Sequence, residues 1–193
     1  MQSIAVFCAS SEGNDKRFKT IATKLGETLA LQHIAIVYGG SKAGLMGAVA
    51  NGALSKGGEV IGVIPNFLKH KEIAHTEVTE LIVVSSMHER KTIMHDRCEG
   101  IIALPGGFGT FEELFEVLTW AQLGHHQKPI GLLNVNGYYD DLLKMIHKMV
   151  DNGLTKQVNQ DMLLVADTID DLLHKMKNYK APKVHKWIAD DSL

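Results

Sequence analysis

Ile101-Ile102-Ala103-Leu104-Pro105-Gly106-Gly107-Phe108-Gly109-Thr110-Phe111-Glu112-Glu113 is the stretch whose reading decides the fold. An apolar run enters a Pro-Gly-Gly turn, and a helix opens behind it. A strand, a tight loop and a helix N-terminus in succession gather backbone N–H groups and the positive end of a helix dipole at one point. That combination suits an anion, phosphate above all. Gly106, Gly107 and Gly109 let the backbone approach a ligand with no Cβ in the way. Glu113 falls one turn into the expected helix and faces the same mouth. Thr110 and Glu113 also fit a capping box, in which each side chain satisfies the other's backbone N–H. The residues alone leave both readings open.

Outward from this junction, apolar runs alternate with amphipathic stretches of helical length. Strands are expected at Ser3 to Cys8, His33 to Tyr38, Glu59 to Ile64, Glu80 to Ser85, Lys128 to Val135 and Leu163 to Ala166. Asp15 can cap a helix running to about Gln32, on which Phe18, Ile21, Leu25 and Leu29 recur at helical spacing. Further helices are expected from Ala48 to about Lys56, Met87 to about Cys98, Phe111 to about Leu123, Gly137 to about Val150 and Thr168 to about Lys177. Asn66 to Thr79 is the least regular part. The alternation gives a single α/β domain over residues 1–180, a Rossmann-like, doubly wound parallel sheet with helices on both faces, followed by a tail at 181–193. Ligands of such sheets bind beyond the carboxyl ends of the strands. The turns Ala9-Ser10-Ser11, Gly39-Gly40-Ser41 and Gly106-Gly107-Phe108-Gly109 should therefore converge on one edge.

Composition narrows the function. The net charge is −2, so nothing draws the chain generally to nucleic acid or an anionic membrane. The start, Met1 to Phe7, reads as a strand and not as a signal peptide, and no apolar run approaches bilayer length. Cys8 and Cys98 suit a reducing cytoplasm and read as packing residues.

Other motifs divide between chemistry and packing. Gly39-Gly40-Ser41-Lys42-Ala43-Gly44 lies at the second strand–turn–helix and does not match the dinucleotide fingerprint. It reads as a nucleotide-contacting turn or as close helix–sheet packing. Met87, Arg90, Met94 and Arg97 share a helix face. An arginine on such a face near a sheet edge needs an anion, either a ligand's or that of Glu113. His88-Glu89-Arg90-Lys91 lacks the second histidine of a zinc helix, because Thr92 stands there. Neither a metal nor a cofactor is expected. Ser10 has no nucleophile elbow around it, so a serine hydrolase is not expected either.

Pro105 to Glu113 is similar to the PGGxGTxxE signature of the Lonely Guy family, phosphoribohydrolases that activate cytokinins and were formerly labelled lysine decarboxylases. Tyr38-Gly39-Gly40, Gly44 to Gly47, Met87 to Lys91, Thr119 to Gly124 and Lys128 to Val135 resemble further family segments, in order. Ser41 departs from the pattern, where many members carry a third glycine. The resemblance implies a homodimer that hydrolyses a purine nucleoside 5′-monophosphate, either N6-prenylated AMP or AMP itself, to free base and ribose 5-phosphate. It implies Arg90 and Glu113 as the catalytic pair. Glu72, Lys91, Gly107, Phe108, Gly109, Thr110 and Thr119 would contact substrate, and Ser10, Gly39, Gly40, Met46, Met87 and Gly106 complete the expected binding set. Glu113 would stabilise the oxocarbenium-like transition state, with Arg90 keeping it ionised and oriented. A non-catalytic nucleotide sensor or carrier is the alternative the loops alone permit.

Overall fold

A computed structural model describes residues 1–69 and 74–183. In chain order the elements are β1 (Ser3–Phe7), α1 (Lys16–Leu31), β2 (Ala35–Tyr38), α2 (Gly44–Leu54), β3 (Val60–Pro65), β4 (Glu80–Val84), α3 (Met87–Asp96), β5 (Gly100–Ala103), α4 (Phe108–Gln122), β6 (Ile130–Leu133), α5 (Asp140–Asp151), α6 (Gln157–Gln160), β7 (Leu163–Ala166) and α7 (Ile169–Lys177). The strands form one sheet in the order β4-β3-β2-β1-β5-β6-β7, and every pairing is parallel. β1 is the pivot: Val6 lies opposite Tyr38 of β2 on one side and Ile102 of β5 on the other. The chain winds outward from β1 in both directions, so β1 and β5 border the switch point where open α/β sheets bind ligands.

Strand alternation sorts the core into two layers. Ile4, Val6, Ile36 and Ile102 face one side and pack with Leu25, Leu29, Val49, Leu172 and Met176, from α1, α2 and α7. Ala5, Val37, Val63 and Ile101 face the other side and pack with Met94, Leu114, Val117 and Ile146, from α3, α4 and α5. A sheet covered on both faces explains why its strands read as continuous apolar runs.

Local signals fix most element ends. Asp15 caps α1 by accepting from the Arg17 backbone N–H at 2.9 Å. Gly57, at φ +71°, turns the chain out of α2, and the Gly58 N–H closes on the Ala53 carbonyl. Two helices begin earlier than their sequence suggests. α2 opens at Gly44 rather than Ala48, and α4 opens at Phe108 rather than Phe111, because the Gly107 carbonyl accepts from the Phe111 N–H at 3.1 Å. The short α6 has no counterpart in the sequence reading. Among the described residues, no helix is long and apolar enough to cross a membrane.

Candidate active site

The three turns meet. Ser10 and Ser11 beyond β1, Gly39 beyond β2 and Gly107 to Thr110 after β5 line one cavity of about 250 Å³, which Met46 of α2, Arg90 and Met94 of α3 and Glu113 of α4 complete. Its floor is Val6, Cys8 and Ala9. Turn-to-turn bonds hold the wall together. The Ala9 carbonyl accepts from the Leu45 and Met46 N–H groups at 3.1 and 3.3 Å, and the Ala9 N–H donates to Pro105 at 3.2 Å.

Gly107 is the N-cap of α4 and has no side chain to cap it. The first-turn N–H groups have no acceptor within their own helix. Gly107 and Gly109 present open space where a Cβ would stand, whereas a Cβ at Gly106 would overlap the Thr110 hydroxyl. The loop is therefore glycine-lined for two reasons: packing on the inside and room for a ligand on the outside. Gly44 belongs to the packing class, since it adopts φ +58° against the backbone of Ser10 and Ser11.

Glu113 does not close a capping box. With α4 beginning at Phe108, Thr110 sits inside the first turn, and the Glu113 carboxylate lies 3.3 Å from Nη1 of Arg90. The two side chains are 10% and 9% exposed. Arg90 is fixed further by its Nε–H, which donates to the Val63 carbonyl within β3 at 3.1 Å. Gly39 makes room for this guanidinium, because a Cβ there would overlap Nη2. Burial pushes the Glu113 carboxyl up to about 7, against the opposing pull of Arg90. Glu112 and Glu116 push the same way as burial. Arg90 therefore orients Glu113 but does not hold it fully ionised at neutrality. One 3.3 Å contact does not replace the water that both groups have lost.

Not every expected residue reaches the cavity. The Lys91 ammonium pairs with Glu112 at 2.5 Å and Glu116 at 2.8 Å, clasping α3 to α4 outside it. Thr119 is exposed and bonds the Phe115 carbonyl at 2.7 Å, beside a separate apolar cleft between α4, α5 and α6. Met87 is half-buried and off the lining; Gly40, which packs on Val63 and Ile64, and Gly106 are buried and off it too. Arg97 leaves the shared face for an exposed pair with Glu80 at 3.3 Å. Glu72 lies outside the described residues. Conversely, Cys8, read as packing, is buried yet also lines the cavity. Burial raises its thiol pKa well above the usual range. Its place at the end of the first strand was the available signal.

A family model described as "possible lysine decarboxylase" matches residues 46–176. A cytokinin riboside 5′-monophosphate phosphoribohydrolase of Arabidopsis thaliana is 46% identical over 91% of this chain and 83% of its own length. A probable enzyme of the same name from Oryza sativa subsp. japonica is 47% identical over 96% of this chain and 82% of its own. The chain belongs to the Lonely Guy family. Solved structures reach further out. The molybdenum cofactor binding protein from Rippkaea orientalis superimposes with a TM-score of 0.68 at 23% identity, covering 91% of this chain and 94% of that one. The molybdenum cofactor carrier protein of Chlamydomonas reinhardtii gives 0.65 at 20%, covering 91% and 95%. At such identities they speak to the shared fold. The family's decarboxylase label finds no support in the cavity. Pyridoxal phosphate chemistry needs a lysine amine for a Schiff base, and among the described residues no lysine lines the cavity.

Proposed function

We propose that this Lonely Guy protein is a nucleoside 5′-monophosphate phosphoribohydrolase acting on AMP and N6-prenylated AMP. The observation that carries the reading is the buried Arg90–Glu113 pair on the wall of a cavity that also receives the open N-terminus of α4. The first-turn N–H groups take the 5′-phosphate, and its binding energy places the ribose beside Glu113. As the bond from the anomeric carbon to the purine nitrogen breaks, its electron pair leaves with the base and positive charge develops on the sugar. The Glu113 carboxylate stabilises that charge and accepts a proton from the attacking water. Water's oxygen ends on the anomeric carbon, and the base gains a hydrogen. A carboxyl titrating near 7 suits this exchange, being able to take a proton and give it back near neutral pH. Arg90 binds the ribose hydroxyls and keeps Glu113 turned inward.

The protein works as a homodimer in the cytoplasm. Phe108, 96% exposed at the cavity mouth, is a ring that a second subunit would cover. Thr119 stands about 9 Å along α4 from Glu113, at 1.5 Å per residue, so a substrate contact there would serve a neighbouring subunit's cavity. Both cysteines are free thiols, which fits a reducing compartment. Solution mass tests the dimer.

Incubation with AMP or isopentenyladenosine monophosphate should release free base and ribose 5-phosphate in equal amounts. Tight nucleotide binding without base release would make the protein a carrier or sensor instead.

A further inference from the structure

The loop that receives the phosphate is held from behind by two side chains outside the cavity. The Tyr139 hydroxyl donates to the Leu104 carbonyl at 2.6 Å, and the Tyr138 hydroxyl donates to the Gly106 carbonyl at 2.6 Å. Between them, the Pro105 carbonyl accepts from the Ala9 N–H at 3.2 Å. Three successive carbonyls are thus each bound, the outer two by hydroxyls from outside the cavity. Across a trans peptide, the carbonyl and the next residue's N–H point in opposite directions. Fixing the Pro105 and Gly106 carbonyls therefore fixes the N–H groups of Gly106 and Gly107, and with them the start of α4.

The two phenols are themselves placed with little freedom. Asn134 accepts from the Tyr139 N–H at 2.8 Å and donates to Asp140 at 2.8 Å, which shapes the turn from β6 into α5. Tyr138 packs edge-on against Phe18 of α1 at 5.5 Å and against Tyr139 at 4.9 Å. Tyr139 also meets Phe111 of α4 at 5.8 Å. The rings would stay put if the hydroxyls were removed, so the hydroxyls can be tested alone.

We propose that Tyr138 is a positioning residue that, by holding the Gly106 carbonyl, aims the Gly107 backbone N–H at the start of α4 toward the substrate's phosphate; this rests on the phosphoribohydrolase reading above. The test compares AMP with adenosine, which lacks the phosphate, in binding titrations on the Glu113→Gln protein so that nothing is turned over. Tyr138→Phe should weaken AMP about tenfold, the worth of one well-made hydrogen bond, and leave adenosine and the melting temperature unchanged. Tyr139→Phe is the control: its hydroxyl holds the buried Leu104 carbonyl ahead of Pro105, which has no N–H, so the change should lower the melting temperature and leave the ratio of AMP to adenosine affinity unaltered. Unchanged AMP affinity in Tyr138→Phe, or an equal loss for AMP and adenosine, overturns the proposal. Base release from AMP by the unmodified protein is a separate readout. Its absence would defeat the enzyme reading while leaving the affinity ratio to judge Tyr138.

Discussion

Helix α3 borders two buried polar clusters, one at each end, and they are built on opposite plans. At its C-terminal end, His95 packs among Trp120, His125 and His126 at ring separations of 5.1, 6.0 and 4.9 Å. There the hydrogen bonds of His126 and Lys128 close inward, while Nε2 of His95 is buried without a partner. His126 donates from Nε2 to the Val117 carbonyl at 2.9 Å and accepts at Nδ1 from the Lys128 N–H at 3.2 Å, and the Lys128 ammonium binds the His95 carbonyl. Burial, with nearby Lys128, holds both imidazoles neutral, down to about 4. Lys128 also makes the cluster hostile to a cation, and among the described residues no group of metal ligands forms. At the N-terminal end, Arg90 and Glu113 are as deeply buried, yet the groups around them open onto a cavity. Burial alone does not mark a functional site. The difference lies in what the charges face: Arg90 and Glu113 border an open cavity, whereas Lys128 is turned onto the His95 carbonyl.

Replacing Glu113 gives the largest test of that distinction. A charge kept for catalysis should cost the resting fold something. Glu113→Gln should lower base release by roughly 10²–10⁴-fold. It should also stabilise the protein at alkaline pH. The folded carboxyl titrates near 7, above its ordinary 4.5, so the unfolded chain gives up its proton first. The folded state is thus penalised increasingly as pH rises from about 4.5 through 7, reaching about 3 kcal/mol above that. Denaturant titrations at pH 6 and pH 8.5 would show it. A destabilised variant at the higher pH would place Glu113 with the histidines as a structural group. In the native enzyme, kcat/KM for AMP should rise through about pH 7 to a plateau.

Gly39→Ala sharpens the same comparison from the protein side. The added methyl would overlap Nη2 of Arg90 and stand 2.8 Å from the Met46 sulfur. Arg90 cannot retreat without losing the Val63 carbonyl. On the role proposed for Arg90, displacing its side chain by an ångström is worth roughly 10²-fold in rate. The loss should appear in turnover, while the acid unfolding profile governed by the distant histidines stays where it was. A shifted acid profile would mean that the two clusters are coupled through α3.

The histidine cluster makes its own prediction. Both imidazoles titrate lower in the fold than in the unfolded chain, so the unfolded chain binds protons first as pH falls below about 6.5. Stability should be full above pH 6.5 and decline toward pH 4, by up to about 3 kcal/mol for each ring. Unfolding free energies measured across that range, with His95→Phe as the flattened reference, would check it. A flat profile would show that these rings are hydrated.

How much of this was legible in the sequence follows from the same physics. All seven strands were visible because a sheet buried on both faces writes continuous apolar runs, and the convergence of three turns followed from parallel topology alone. Arg90 and Glu113, which the family resemblance singled out, stand in contact at 3.3 Å, one of the two partnerships foreseen for the arginine. Of the two readings left open for Thr110 and Glu113, the capping box is the one the fold does not use. Thr110 and Glu113 carry its pattern, but a close relative of it forms at α3: the N-cap Ser86 hydroxyl accepts from the Glu89 N–H at 3.1 Å, and the Glu89 carboxylate accepts from the N–H of the preceding Ser85 at 2.7 Å. A pattern of four residues cannot say where a helix begins when a glycine loop allows it to start three residues early. Lys91 and Thr119 show a second limit. Spacing puts a residue on a helix, but only packing decides which way it faces, and Glu112 and Glu116 turn Lys91 away from the cavity.

The smallest expected effect isolates the ligand's share of the site. Gly109 lies in the first turn of α4, has an ordinary negative φ, and leaves open space where a Cβ would go. In a helix, alanine is favoured over glycine by up to about 1 kcal/mol. Gly109→Ala should therefore raise stability slightly, and nothing in the protein opposes it. The open space is where the phosphate is expected, so the same methyl should weaken AMP binding. Gly39→Ala injures the site through the protein, but Gly109→Ala can injure it only through the ligand. A variant that is slightly more stable and binds AMP less well would show that this glycine is kept for the occupant and not for the fold. Undiminished AMP affinity would move the phosphate off the α4 N-terminus and leave Gly109 unexplained.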